Sequence, residues 1–485
     1  MISHLPLYPL LVPLLAGIFT LMLKHFGIKT QRWLSGFFLL LLLFVALVTL
    51  SSTLDTSATV YALGGWEPPY GITLVLDKLS ALMVLLTSLL ALGAFSYALF
   101  ERMDTKSLHF HPLFWLQLFG INGAFLTGDL FNLFVFFEIL LIASYSLILH
   151  GNKEERIKAG LHYVILNLVG SALFLLGIGT LYGILGTLNI QDLALKISHL
   201  ASSDVSIIAA AGLLLLVVFG LKAAMFPLSF WLTHTYSSIS APVVALFAIL
   251  TKVGIYAILR VHGTLFGANA LELSYYYIPW VLNLGLLSLI ISTLGVMAAD
   301  SLKNKIGYLV LVSISMLLIL LGINTQEAIS AAIYYTIHST LIAGGFFLFA
   351  DVLARKNILP HIRLVGGLFF VYALAIAGLP PFAGFFAKVM LLDAAMQNSQ
   401  QAMIFTLVLL STLLILITLA RTGSRLFYEQ KFEHDGIATA LHRRSLLSIF
   451  FLLFLSVLLV VFAHPIIEFL SQLSAEVLHL QEMTE

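Results

Sequence analysis

The sequence contains no cysteine and few charges: 10% of its 485 residues are Asp, Glu, Lys or Arg. Without cysteine there is no disulfide, no thiol nucleophile and no thiolate-ligated metal centre. A globular domain carries near a quarter charged residues, so the shortage of charge excludes a soluble protein. The formal net charge of +1 offers no field for nucleic acid, and no nucleic-acid partner is expected. The amino terminus "MISHLPLYPLLVPLL" lacks the basic start of a signal peptide, so its apolar run reads as a retained first helix.

Hydrophobic residues make up 60% of the chain, including 37 phenylalanines, and the mean hydropathy is +1.05. Apolar runs of about 20 residues, the length that crosses a bilayer, recur from end to end. The chain reads as an all-α polytopic membrane protein. Dividing the runs at charged or Gly/Pro/Ser-rich breaks gives fourteen spans, at about 5–23, 33–52, 76–100, 111–128, 130–149, 160–186, 206–236, 241–263, 275–299, 304–323, 327–354, 364–397, 401–428 and 445–471.

Basic residues test this assignment, because Lys and Arg collect in alternate loops on the cytoplasmic side. Of the 24, eighteen fall on one side and three, Lys78, Lys196 and Arg260, on the other. The remaining three, Lys222, Lys252 and Lys388, lie inside spans. Both termini are then expected outside, and the acidic tail "SAEVLHLQEMTE" agrees with that.

Counting about 1.5 Å per residue, Glu138 lies roughly 12 Å into the fifth span, Lys252 about 16 Å into the eighth and His338 about 16 Å into the eleventh. All three are near mid-bilayer, where a lysine costs on the order of 2.5–3.5 kcal/mol. The bland reading pairs Glu138 with one lysine as a neutralised register lock, which leaves two lysines unmatched. On its own helical face Glu138 meets Phe131, Phe134, Val135, Leu141 and Ile142, with only Tyr145 polar, so its partner is expected from another helix, with Lys222 preferred. Several ionisable groups at one depth, linked by water, form a proton relay. His338 reads either as a helix-to-helix hydrogen bond or as part of that relay. Asp129 and Asp393, near the outer helix ends, read as ion-access or capping residues, and Lys303 with Lys305 as a cytoplasmic anchor.

Spans seven and twelve are interrupted, in "GLKAAMFPLSFWLTHTY" and "AIAGLPPFAGFFAKVML". Pro227 cannot donate to the carbonyl of Ala223, nor Pro380 and Pro381 to those of Ile376 and Ala377, so these oxygens need water or a side chain. Each break lies near an intramembrane lysine. The helices before them align, "HYVILNLVGSALFLLG" from 162 with "YYTIHSTLIAGGFFLFA" from 334, sharing Tyr163/Tyr335, Ile165/Ile337 and Phe174/Phe346. Together these suggest two inverted five-helix repeats, spans 4–8 and 9–13, an architecture that places ion sites at discontinuous helices. The expected organisation is three helices over 1–110, repeats over 111–263 and 275–428, and a last helix and tail over 429–485.

With "YGITLVLDKLSALMVLLT", "TGDLFNLFVFFEILLIASYSL" and "IHSTLIAGGFFLFAD", the chain resembles the antiporter-like subunits of Mrp-type cation/proton antiporters, respiratory complex I and membrane-bound hydrogenases, and looks most like the Mrp D type. The resemblance covers nearly the whole chain. It implies that Glu138, Lys222, Lys252 and Lys388 are proton-carrying groups on a hydrated central axis. Many relatives carry a lysine four residues after the helix-11 histidine, whereas Ile342 stands here, as in the D type. The expected function is a proton-translocating subunit of a monovalent cation (Na⁺ or K⁺)/proton antiporter in a bacterial inner membrane, a transporter rather than an enzyme, working with other hydrophobic subunits. In that reading protons load Lys388 or His338, pass to Lys252 and Lys222, and modulate Glu138. The alternatives are a proton-pumping subunit of a redox-driven complex, whose flavin, haem or iron–sulfur groups would sit on other chains since no cofactor site is read here, and a structural scaffold.

Overall fold

The computed structural model describes residues 2–54, 58–106, 109–150, 154–358, 361–429, 439–440 and 443–482. The chain opens with α1 (Tyr8–Met22), α2 (Ile28–Ser52) and α3 (Lys78–Phe100). Between the last two, where the sequence reads as a plain loop, β1 (Thr59–Ala62) pairs antiparallel with β2 (Thr73–Leu76). Then follow α4 (Phe110–Leu126), α5 (Leu130–Ile148), α6 (Glu154–Leu185), the short α7 (Ile190–Ile197), α8 (Val205–Ala223) and α9 (Phe230–Ser238). A single apolar stretch, Ala241–Leu265, holds α10 (Ala241–Phe247), α11 (Leu250–Ala257) and α12 (Gly263–Leu265). The remainder comprises α13 (Ile278–Ala298), α14 (Leu302–Ile323), α15 (Gln326–Arg355), α16 (Ile362–Ala377), α17 (Ala383–Ala394), α18 (Gln401–Ser424), α19 (Arg443–Val461) and α20 (Ala463–Glu482).

This is a polytopic all-α membrane protein: among the described residues, 12 helical stretches are long and apolar enough to cross a bilayer. The two other expected spans take different forms. One is α4, with 17 residues. The other is broken into α16 and α17. Both predicted breaks are present, between α8 and α9 and between α16 and α17, and each first half ends on a left-handed residue, Ala224 (φ 59°) or Gly378 (φ 71°). One break was not predicted. The expected last helix, 445–471, divides at Phe462, because Pro465 cannot donate a backbone hydrogen bond and so belongs to the first turn of a new helix rather than the interior of an old one. The segment read as a tail is thus helical to Glu482.

The core gathers around α15, which packs on α3, α10, α14, α17, α19 and α20. Small residues allow that density, since without a hydrophobic drive between helices in lipid, close approach supplies the attraction. A Cβ on Gly345 would fall 2.1 Å from the Tyr372 hydroxyl, and one on Gly344 2.7 Å from Leu90.

The three basic residues on the sparse side are all paired: Lys78 with Glu476 at 2.5 Å, Lys196 with Asp192 at 3.2 Å and Arg260 with Asp77 at 2.5 Å. At the opposite end Arg32 grips Asp104 through Nε at 2.6 Å and a second nitrogen at 2.8 Å, and His111 reaches the same carboxylate at 3.3 Å. Lys303 lies 3.8 Å from Asp351, a buried carboxylate that accepts from Tyr97 at 2.8 Å. Of the basic residues on that side, Lys153 and Lys431 lie outside the described residues.

Candidate functional site

The five ionisable side chains singled out within the spans sit on five helices, and each meets a polar atom supplied by another element. Lys252 on α11, His338 on α15 and Lys388 on α17 are buried, while Glu138 on α5 and Lys222 in the last turn of α8 are half-buried.

Glu138 has no polar neighbour on its own helix, as its sequence context requires, and its Oε1 accepts from Ser171 Oγ on α6. The expected direct pair with Lys222 is not formed: Lys222 Nζ instead donates to Asn167 Oδ1 at 3.0 Å and lies 5.3 Å from the centre of the Phe137 ring. Asn167 and Ser171 are four residues apart on α6, hence one above the other on one face. That helix therefore stands between the two charges, holding the carboxylate with a hydroxyl and the ammonium with an amide oxygen. The amide's orientation is fixed by its other end, since Asn167 Nδ2 donates to the Tyr163 carbonyl at 2.8 Å. A cavity of about 30 Å³ borders Lys222, Asn167, Leu250 and Val253, on the side toward the helix that carries Lys252. It has room for about one water.

Lys252 Nζ donates to Ser313 Oγ on α14 at 3.2 Å. That hydroxyl spends its own proton on the Val310 carbonyl at 2.7 Å, so it serves the lysine as an acceptor only.

His338 and Lys388 converge on the broken end of α16. Lys388 Nζ donates to the Ala377 carbonyl at 2.7 Å and to Thr412 Oγ1 on α18 at 2.6 Å. The Ala377 oxygen is one that Pro381 cannot satisfy, and the side chain the sequence calls for there is the lysine itself. His338 Nδ1 lies 3.2 Å from Ser456 Oγ on α19, and its ring also hydrogen-bonds the Ala375 carbonyl. A helix C-terminus carries a partial negative charge, so the open end of α16 favours cations. The approach is close enough to need glycine: a Cβ on Gly384 would lie 2.6 Å from both His338 Nε2 and the Ala375 oxygen. At the first break the freed backbone is served differently, by Trp231 Nε1 donating to the Leu221 carbonyl at 3.1 Å and by Ser288 accepting from the Phe226 N–H at 3.0 Å.

Asp129 caps α5, accepting from the Asn132 N–H at 2.8 Å, and Asp393 is exposed in the last turn of α17. Neither joins the five. The residues that sequence reasoning passed over are the neutral holders: Asn167, Ser171, Ser313, Thr412 and Ser456. A signal existed for the first two, as an Asn and a Ser one turn apart in an apolar helix, with Asn167 one residue beyond the position that aligns with His338.

A family model described as NADH:quinone oxidoreductase/Mrp antiporter, transmembrane, matches residues 127–414. A Rhizobium meliloti protein, named as the D subunit of a probable K⁺/H⁺ antiporter, is 39% identical over 472 residues, covering 88% of this chain and 87% of that one. The D subunit of the Na⁺/H⁺ antiporter of Alkalihalophilus pseudofirmus is 34% identical over 490 residues, covering 98% and 97%. The fold matches a chain of the Mrp complex from Dietzia sp. with a TM-score of 0.86 at 25% identity, over 100% of this chain and 99% of that one. With more than half of its length inside the family match and relatives of this identity along nearly all of it, the chain belongs to the NADH:quinone oxidoreductase/Mrp antiporter family of transmembrane subunits.

Proposed function

We propose that this chain is the D-type, proton-translocating subunit of a multisubunit monovalent cation/proton antiporter. Its relatives at 34–39% identity carry that name, and the observation that favours proton movement is the row of five ionisable groups held by neutral atoms. A lysine locked against a carboxylate at contact distance has little reason to release its proton. Lys222, Lys252 and Lys388 are held by an amide oxygen, a hydroxyl, and a hydroxyl with a carbonyl, which support the charged form without neutralising it. In this reading protons load Lys388 or His338 at the broken end of α16, pass to Lys252 and then Lys222, and alter the balance between Lys222 and Glu138 across Asn167 and Ser171. The cation leaves elsewhere in the complex, driven by that inward proton flow.

The half-buried position of Glu138 and Lys222 supports coupling to a neighbour. Beside them α5 and α6 present an exposed apolar surface, with Ile142 and Leu168 each 60% exposed, suited to a companion hydrophobic subunit or to lipid. The architecture in this proposal has fourteen spans, with two inverted repeats over residues 111–263 and 275–428 between the first three helices and the final segment. The like-handed ends of α8 and α16, each beside a lysine, support the repeat. The bias of basic residues supports a bacterial inner-membrane protein with both termini outside, where the salt bridge from Lys78 to Glu476 on α20 ties the carboxyl-terminal helix to that face.

The test is exchange of Na⁺, Li⁺ and K⁺ for protons in everted vesicles that carry the assembled complex with Glu138→Ala or Lys222→Ala. Exchange is expected to be lost in both, with assembly retained; full exchange in either would sink the mechanism. Purification with flavin- or iron–sulfur-bearing chains instead of small hydrophobic companions would assign the same proton path to a redox-driven pump.

A further inference from the structure

A groove of about 1150 Å³ opens between α1, α4 and α5, at a distance from the five ionisable groups and unused by them. Its wall is apolar: Pro13, Leu14, Ile18 and Leu21 from α1, and Leu113, Leu116 and Phe119 from α4. Its mouth is polar, formed by Lys106, His109 and His150, and no carboxylate is among the described residues that line it. His150 is buried and bonds the Met103 carbonyl at 3.2 Å, and burial lowers its imidazole below the ordinary value, so the fixed positive charge at the mouth belongs to Lys106. Asp104, two residues before that lysine, is taken by Arg32 and His111.

The dimensions are those of one leaflet. From residue 13 to residue 21 α1 rises about 12 Å, and from 109 to 119 the chain along α4 rises about 15 Å. Half the hydrocarbon thickness of a bilayer is also about 15 Å. The mouth lies at the level where that half ends, on the face where basic residues collect. Ile18 and Leu21 are 44% and 46% exposed, so the wall needs an apolar occupant.

We propose that this groove seats an anionic phospholipid, its acyl chains against α1 and α4 and its phosphate at Lys106 and His109. An apolar slot of leaflet depth ending at a basic mouth is complementary to a charged headgroup on a hydrocarbon tail, and basic pockets between helices on the cytoplasmic side recognise such lipids. A zwitterionic lipid gains nothing from the charge. The inference rests on the membrane reading of the fold, but not on which face is cytoplasmic if both leaflets have the same composition.

The test uses the assembled complex carrying Ile18→Trp, reconstituted in phosphatidylcholine vesicles that contain dibrominated phosphatidylglycerol or dibrominated phosphatidylcholine. Fluorescence is read against the complex without the substitution. Phosphatidylglycerol is expected to quench with about a fivefold preference, the worth of one basic side chain near an anionic surface, and Lys106→Glu should remove that preference. Equal quenching by the two lipids would mean ordinary surrounding lipid and would overturn the proposal. So would absence of quenching by both, the result if a companion subunit's helix fills the groove. Lipid mass spectrometry on the complex without the tryptophan gives a second reading: phosphatidylglycerol retained in the unaltered complex and lost with Lys106→Glu supports the site, and equal retention refutes it.

Discussion

Gly384→Ala is the perturbation that most directly tests how the broken end of α16 is built. The added Cβ would stand 2.6 Å from the Ala375 oxygen and 2.6 Å from His338 Nε2, whereas ordinary contact begins at 3.4 Å, a shortfall of about 0.8 Å. The oxygen is backbone and the imidazole is buried, so neither yields easily, and α17 must move outward. Lys388 is four residues further along the same helix and moves with it. A shift of about 0.8 Å would stretch its 2.7 Å bond to the Ala377 carbonyl to about 3.5 Å, past the useful range of a hydrogen bond. Overpacking of this kind costs about 1–3 kcal/mol of stability, and the weakened contact to a charged group about 1.5–3 kcal/mol at the lysine itself. The stability term is measured as thermal unfolding of the purified complex, the lysine term as cation/proton exchange in vesicles, where a tenfold or greater loss is expected. Gly367→Ala on α16, with nothing within 4 Å of its new methyl, serves as control and should stabilise slightly or do nothing. Gly384→Ala with unchanged exchange and unchanged unfolding temperature would refute the argument that Lys388 is held by that helix end.

The α6 bridge predicts that Asn167→Leu removes the acceptor of Lys222, at a cost of about 1.5–3 kcal/mol, and lowers exchange tenfold or more while the complex still assembles; assembly followed by gel filtration and exchange in vesicles separate the two effects. At the inner end, burial pushes the Asp104 carboxyl up, but the bonds from His111 and Arg32 outweigh it and hold the group below its ordinary 3.8. A lowered carboxyl contributes stability that is present above the unfolded value and is lost as pH falls through the folded one, so the protein should weaken in acid below about pH 4, whereas Asp104→Asn should be destabilised by about 3 kcal/mol at neutral pH and lose that acid dependence, as thermal melts across pH will show. Glu476→Gln, at a half-exposed salt bridge, should cost about 1 kcal/mol or less and be visible mainly as faster hydrogen exchange in α20.

What could be read from the residues was whatever depends on one segment. Apolar length located the helices, and missing proline donors located both breaks, including the statement that the Ala377 oxygen needs a side chain. The isolation of Glu138 on its own helix showed that its partner would come from elsewhere. What could not be read was which group would arrive, because that depends on how helices lie side by side. Lys388 reaches back eleven residues only because the break turns α17 past the end of α16. Ser456 is 118 positions from His338, with nothing in its own surroundings to mark it. Preferring Lys222 for Glu138 followed from charge alone, and it failed as a contact because α6 places an amide and a hydroxyl between them. The division at Phe462 was legible, since Pro465 announces it, but a continuous apolar run outweighed the proline.

The neutral holders differ in one respect that bears on how protons move. Ser313 gives its proton to Val310 and Thr412 gives its own to Val408 at 2.8 Å, both along the backbone of their own helices. Each can accept from a lysine, but neither has a second acceptor for its proton to turn to, so they steady a charge rather than pass it on. Ser171 is built otherwise. Its single proton faces two acceptors, the Glu138 carboxylate and the Asn167 carbonyl at 3.0 Å. When Glu138 is ionised the hydroxyl gains most by pointing at it, since a bond to a charged acceptor is about twice as strong as one to a neutral one. When Glu138 is protonated that advantage goes, and the hydroxyl can return to the backbone of the helix that also carries the amide holding Lys222. The charge state of the carboxylate is thereby transmitted to the surroundings of the lysine through one turn of α6, without the two charges ever meeting.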